Sequence, residues 1–338
     1  MKAVLTSKYL RVILGTVLSG VTLYLALKGV SVWELARSAR QASTQLILIG
    51  VVSVVVNMLI KSYRWYRLMG PVGKQTGIYR VSAALIAGQV LNLIYPARAG
   101  DVSRILIIGK DGAEKAYVFG SVLLEKLVDL AAYILLAIIL LVRLPFPGWL
   151  AQPVYLAAGA TILGIGVLVW VVSSADRIER LGGWLAVHVR WLPEHSRQSL
   201  VELAQMTFSA LGMVRQRKMA AELIGLTVGV WLTAMLNNIL VWYALDMNVE
   251  HASQTLPATL MVLIGLMAGI AVPSVPGRIG VFEYICVVAL AVFGIAQVQA
   301  LTYGVTLHAM VFLPQLVMGA GSLLWLSWKP ASIPSGVG

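Results

Sequence analysis

The run IYRVSAALIAGQVLNLIYPARAGDVSRILIIG, residues 78–109, is apolar at both ends and carries Pro96, Arg98, Gly100, Asp101 and Arg104 in its middle. A helix needs about 20 mainly apolar residues to cross a bilayer, and neither half supplies them. Two half-helices meeting at a Pro/Gly break satisfy the pattern, because irregular backbone at membrane depth is tolerated where protein or a water-filled cavity surrounds it. The arrangement recurs in LMVLIGLMAGIAVPSVPGRIGVFEYICVVALAVF, residues 260–293, whose break holds Pro273, Pro276, Arg278, Gly280 and Glu283. Each is read as a re-entrant half-helix hairpin, over 78–109 and 257–296.

The flanking chain has the composition such hairpins require. Of 338 residues, 59% are hydrophobic and 12% charged, with a mean hydropathy of +0.86. Soluble domains carry about one-quarter charged residues. A soluble enzyme is excluded, and an all-α, polytopic membrane protein is expected. Six full spans are predicted, at Val12–Leu27, Leu46–Ile60, Ala116–Leu141, Val154–Val172, Ile224–Leu245 and Tyr303–Trp325. The first follows Lys2, Lys8 and Arg11 as a signal peptide would, but no small-x-small cleavage site precedes Lys28, so it reads as a retained span. SVWELARSARQAS (31–43) has the spacing of an interfacial helix. KSYRWYRLMG (61–70) reads as an aromatic belt with basic anchors. Residues 175–218 form the long polar stretch and read as a loop of two amphipathic helices. The whole of 1–338 is read as one transmembrane domain.

Lys and Arg then sort by side. Eighteen fall on one face of the six-span scheme and four on the other, making the first face, which holds both termini and the 175–218 loop, cytoplasmic. The net charge of +12 is spread between hydrophobic segments and forms no single stripe, so no nucleic-acid partner is expected. In this scheme the hairpins enter from opposite faces. That is an inverted repeat, which places a site near the bilayer midplane.

Four cations fall inside membrane segments: Arg98, Arg104, Lys126 and Arg278. A charge at the bilayer centre costs about 2.5–3.5 kcal/mol, so such groups must be paired, hydrated or engaged with a ligand. Arg98, Asp101 and Arg104 are three apart, so Asp101 can pair with either arginine and leave the other for a phosphate. Glu125 and Asp129 share a helix face, with Lys126 about 100° round from Glu125. They balance Arg98, Arg104 or Arg278, or form an ion-pair lattice that fixes helix positions. Glu283 either titrates or pairs with Arg278. Asn92, Asn237 and Asn238 read as interhelical hydrogen-bonding groups, His308 as a structural residue on an apolar span, and Cys286 as a small buried hydrophobe. No metal-binding, phosphate-loop or nucleophile-elbow motif is present in the sequence. No cofactor, no metal and no catalytic residue is expected.

Three segments, NLIYPARAGDVSRILII (92–108), LEKLVDL (124–130) and VPSVPGRIGVFE (272–283), together resemble the lysylphosphatidylglycerol synthetase transmembrane-region family of flippase-like membrane proteins. In that resemblance Asn92, Pro96, Arg98, Gly100 and Asp101 match the first motif, although Glu is commoner than Asp at the last position. Lys126 stands where Arg is usual, and Arg278 where Gly is usual. The resemblance implies translocation of lipids with anionic or modified head groups, or a role beside glycolipid and polyprenyl-phosphate pathways. A hopanoid-associated branch has a similar shape. The bifunctional relatives append an aminoacyl-transfer domain, which the short tail after Trp328 is not expected to supply.

The chain is therefore expected to be a flippase of the bacterial inner membrane. Asn92, Arg98, Asp101, Arg104, Glu125, Lys126, Asp129, Arg278 and Glu283 are its substrate-binding set: arginines hold the phosphate, and acids counterbalance or shuttle protons. Its partners are membrane lipids with phosphate head groups and a lipid-biosynthesis protein. The alternatives are a membrane-embedded lipid-modifying enzyme using Asp101 or Glu283 as base, or a scaffold of a glycolipid or hopanoid synthesis complex.

Overall fold

The computed structural model describes residues 2–95, 99–109, 112–143, 216–247, 254–269 and 274–328, with scattered positions between 159 and 194. Every regular element among them is helical: α1 (Lys2–Leu27), α2 (Val32–Arg40), α3 (Thr44–Leu68), α4 (Gly70–Thr76), α5 (Ile78–Ile94), α6 (Ala99–Ile108), α7 (Gly112–Arg143), α8 (Arg217–Ala244), α9 (Thr255–Gly269), a 3-10 turn (Pro276–Arg278), α10 (Val281–Ala291) and α11 (Gln297–Trp328). Most of the expected fourth span and of the 175–218 loop lies outside the described residues.

Helices α3, α8 and α11 are each long and apolar enough to cross a membrane, and α4 with α5 forms a further candidate bent by 103°. The bend falls at Gly77, whose φ of 82° lies in the left-handed region that glycine enters without a Cβ penalty. The chain is a multi-pass membrane protein. Helix α7 covers the expected third span with 32 residues, interrupted by Glu125, Lys126 and Asp129. Helix α2 forms where the interfacial helix is predicted, with Trp33 exposed.

Where the two hairpins are predicted, the described residues form two packed helix pairs, α5 with α6 and α9 with α10, while residues 96–98 and 270–273 lie outside the described residues. The arms have 17 and 10 residues in α5 and α6, and 15 and 11 in α9 and α10. At about 1.5 Å per residue none reaches the roughly 30 Å of a hydrocarbon core.

The chain divides into two compact units, and each hairpin belongs to a different one. The first unit is Met1–Asn57, Asp129–Leu163 and Thr227–Pro314, and holds α9 and α10. Its core gathers Val241, Trp242, Val262, Leu290, Leu301 and Leu307. Asn57 Nδ2 donates to the Val230 carbonyl and to Thr233 Oγ1, both at 2.7 Å, joining α3 to α8. Gly50 of α3 gives up its Cβ volume to the Met310 side chain of α11. Close packing at small residues, with interhelical hydrogen bonds, is what holds apolar helices together when lipid offers no hydrophobic contrast.

The second unit is Met58–Val128, Gly164–Leu226 and Gln315–Gly338, and holds α5 and α6. The arms of this hairpin cross at Gly88 and Gly100. A Cβ built on Gly100 would meet the Gly88 carbonyl, and one on Gly88 would meet the stem of Arg104. Gly319 of α11 likewise makes room for Val90 of α5.

Gly100→Ala is therefore expected to destabilise the protein by about 1–3 kcal/mol, the scale of overpacking. Gly225→Ala, where a Cβ meets nothing, serves as the control. Thermal unfolding of both variants in detergent checks this, and equal transitions would refute the crossing.

Candidate functional site

Asn92, in the last turn of α5, reaches the start of α6 with its side chain. Its Oδ1 accepts the backbone N–H groups of Gly100, at 2.8 Å, and Asp101, at 3.3 Å, while its Nδ2 donates to Asp101 Oδ1 at 3.2 Å. Two otherwise unpaired donors at the start of α6 are thereby satisfied. Asp101 is fixed at the first turn of α6 as a result. One helical turn on, Arg104 Nη2 donates to Asp101 Oδ1 at 2.6 Å, and its Nη1 donates to Glu125 Oε2 of α7 at 2.9 Å.

This guanidinium is sealed in. The Arg104 side chain is 2% exposed and Glu125 7%. Arg104 lies 4.9 Å from the centroid of the Trp65 ring, a cation–π contact. Trp65 Nε1 donates to Ser121 Oγ at 3.1 Å, tying the ring to α7. The charge of Arg64, itself buried, also bears on Glu125. Lys126 differs: its Nζ is 3.5 Å from Asp101 and 3.7 Å from Glu125, and 36% of its side chain is exposed. Both distances exceed a good N–H···O bond. Lys126 is a loosely held cation beside two tightly held carboxylates, able to turn toward another anion.

In the α9–α10 hairpin the backbone does more of the work. Gly277 and Gly280 have φ of 75° and 89°, and Arg278 between them has φ of 59°. Ser19 Oγ of α1 accepts the N–H of Val275 at 3.0 Å, and a Cβ on Gly280 would strike the Ser19 carbonyl. The turn is thus clasped by α1. Glu283 Oε2 accepts the Gly280 N–H at 2.7 Å, and its Oε1 lies 2.5 Å from His308 Nδ1 on α11. The imidazole stacks on Phe282 at 4.4 Å and meets Phe312 edge-on at 4.1 Å.

The residues expected at the site therefore divide. Asn92, Asp101, Arg104, Glu125 and Lys126 come together at the first hairpin. Arg278 and Glu283 stand at the second, in the other unit, and Asp129 lies one turn beyond Glu125 on α7, half-buried. Pro96 and Arg98 fall outside the described residues. The arginine of α6 that a phosphate was expected to use is occupied by protein carboxylates. Arg64 and Trp65 were read as surface anchors, yet both are buried. Their i and i+1 places put them on the inward face of α3 while Tyr63 stays exposed; only knowledge of what that face meets would have separated them. His308 gains a charged partner that no local pattern announces. Asn238 serves as expected, with Oδ1 accepting from the Tyr303 hydroxyl at 3.1 Å.

Residues 12–319 match the family described as the lysylphosphatidylglycerol synthase TM region. Among curated proteins the chain is similar to glycosyltransferase AglD of Haloferax volcanii, 25% identical over 317 residues. That alignment covers 85% of this chain and 50% of the relative, so the chain spans half the length of the protein it matches.

Removing one partner of a buried ion pair leaves an uncompensated charge and costs about 3–5 kcal/mol. Glu125→Gln is expected to lose stability on that scale, and adding Arg104→Met to it is expected to restore part of the loss. Denaturant titration of the single and double variants checks the pairing; strictly additive losses would refute it.

Proposed function

Because the chain belongs to the lysylphosphatidylglycerol synthase transmembrane-region family, we propose that it is a flippase that carries a lipid with an anionic or phosphate-bearing head group across the bacterial cytoplasmic membrane. The substrate is a phospholipid, a modified phospholipid or a polyprenyl-phosphate-linked glycolipid. The reading rests on one observation above all: a partly exposed cation, Lys126, sits beside the buried Asp101–Arg104–Glu125 cluster at a break in a helix pair too short to cross the bilayer. A phosphate competing for Lys126 displaces a weak contact and leaves the Arg104 pairs intact. Each unit contributes one such hairpin, in keeping with an inverted repeat whose halves alternate access. Basic residues favour cytoplasmic termini.

Arg278 contributes a second cation at the other hairpin. A left-handed backbone costs a non-glycine residue about 1–2 kcal/mol, and strain of this kind collects at functional positions. An arginine kept where a glycine fits the backbone argues that its charge is used.

The name of the Haloferax volcanii relative favours a second reading, glycosyl transfer to a lipid. The two carboxylates available as bases, Asp101 and Glu283, are engaged by Arg104 and His308. Incubation of purified protein with labelled sugar donors would yield a labelled lipid under that reading and none under transport.

In proteoliposomes, a head-group accessibility assay is expected to show Lys126→Gln slowing anionic-lipid movement at least tenfold. Arg278→Gly is expected to raise folding stability by about 1 kcal/mol while slowing transport. Unchanged rates in both variants would reject the assignment.

A further inference from the structure

Where α3 ends and α4 begins, Tyr66, Arg67, Pro71 and Lys74 enclose, with Gln216 and Met219 at the start of α8, a cleft of about 250 Å³. All of these residues belong to one unit. Among the described residues its lining carries two cations and no acid. The nearby carboxylate, Glu222, is taken up by Arg67 Nη1, which also donates to the Tyr63 hydroxyl at 3.3 Å. Among the described residues, Arg67 Nη2 meets the Met219 sulfur, at 3.8 Å, a weak acceptor. One edge of a pre-positioned guanidinium, the exposed Lys74 ammonium and the Gln216 amide therefore converge on a space that asks for an anion with several acceptor oxygens.

The position of the cleft says where that anion comes from. Arg67 lies in the last turn of α3 and Met219 in the first turn of α8, and both helices are long and apolar enough to cross a membrane. The cleft thus sits at a membrane boundary, the depth at which tyrosine rings and basic side chains meet lipid head groups. Leu59 and Tyr63, 54% and 42% exposed, lie two turns and one turn before Arg67 on α3 and share its face. They make an apolar track on which an acyl chain can lie while its head group reaches the cations. The cleft is smaller than the roughly 300–1,000 Å³ of sites that engulf a whole small molecule. That size suits a head group whose tails stay outside.

We propose that this cleft is a membrane-surface binding site for the phosphate of an anionic lipid head group, separate from the buried cluster of the first hairpin. It requires binding alone, so it stands whether or not the protein moves lipids.

The test uses the full-length protein in mild detergent, with native mass spectrometry of bound short-chain phosphatidylglycerol or phosphatidylcholine at equal concentration. The wild type is expected to retain phosphatidylglycerol in preference. Lys74→Gln is expected to lower that binding about fivefold, the effect of one basic group near an anionic surface, and to leave phosphatidylcholine unchanged. Lys218→Gln, exposed beside the cleft but outside its lining, is expected to keep the preference. An unaffected Lys74→Gln, or an equal loss in both variants, would overturn the site in favour of diffuse attraction. Displacement of phosphatidylglycerol by inorganic phosphate at the same concentration would overturn the lipid as its ligand. The Lys74→Gln loss is read from retained lipid alone, with no transport measured, so its failure leaves the reading of Lys126 standing.

Discussion

A guanidinium with almost no access to solvent, held between two carboxylates, is the constraint around which the first hairpin is assembled. Taking a charge out of water costs several kcal/mol even after relaxation, so Arg104 is tolerable only while Asp101 and Glu125 both reach it. That requirement propagates outward. Asp101 must be presented at the start of α6, which Asn92 achieves by bonding the first backbone N–H groups of that helix. The stem of Arg104 must pass the opposite arm, which only a residue without a Cβ at position 88 permits. Trp65 closes the cluster from α3. Helix positions, break geometry and local electrostatics are one problem with one solution.

The second hairpin meets the same difficulty by different means. Its turn is shaped by two glycines in left-handed conformations and clasped by Ser19 of α1, so backbone and small side chains define the break. Its acid, Glu283, is steadied by a backbone amide at the head of α10 and by an imidazole on α11 set among aromatic rings.

Two features at the edges of this scheme bear on lipid chemistry. Arg278 occupies a backbone conformation that suits glycine, the residue usual there in the resembling family, and places a cation at the turn. The cleft beside Arg67 and Lys74 offers a separate anionic subsite at the membrane boundary. One cation stands at a helix-pair turn and the others line a cleft at the end of α3.

Residue order alone determined the membrane class, the helical content and the charged residues placed near the starts of α6 and α10. These follow from hydropathy and from Pro, Gly and charge at fixed spacing, all of which are local along the chain. The family resemblance placed Asn92, Gly100 and Asp101 in one motif, and their contacts do close within nine residues. Only the tertiary structure decided which charges are consumed and which stay available. Arg64 and Trp65 looked like surface anchors because helical spacing is the same whether a face meets lipid or protein. Sequence left open whether Glu125 balances Arg98, Arg104 or Arg278, because that carboxylate lies 21 residues from Arg104 on another helix. Likewise the Glu283 partner of His308 is 25 residues off, beyond any local pattern. Pairing between helices depends on how they pack, and packing is set by the whole chain at once.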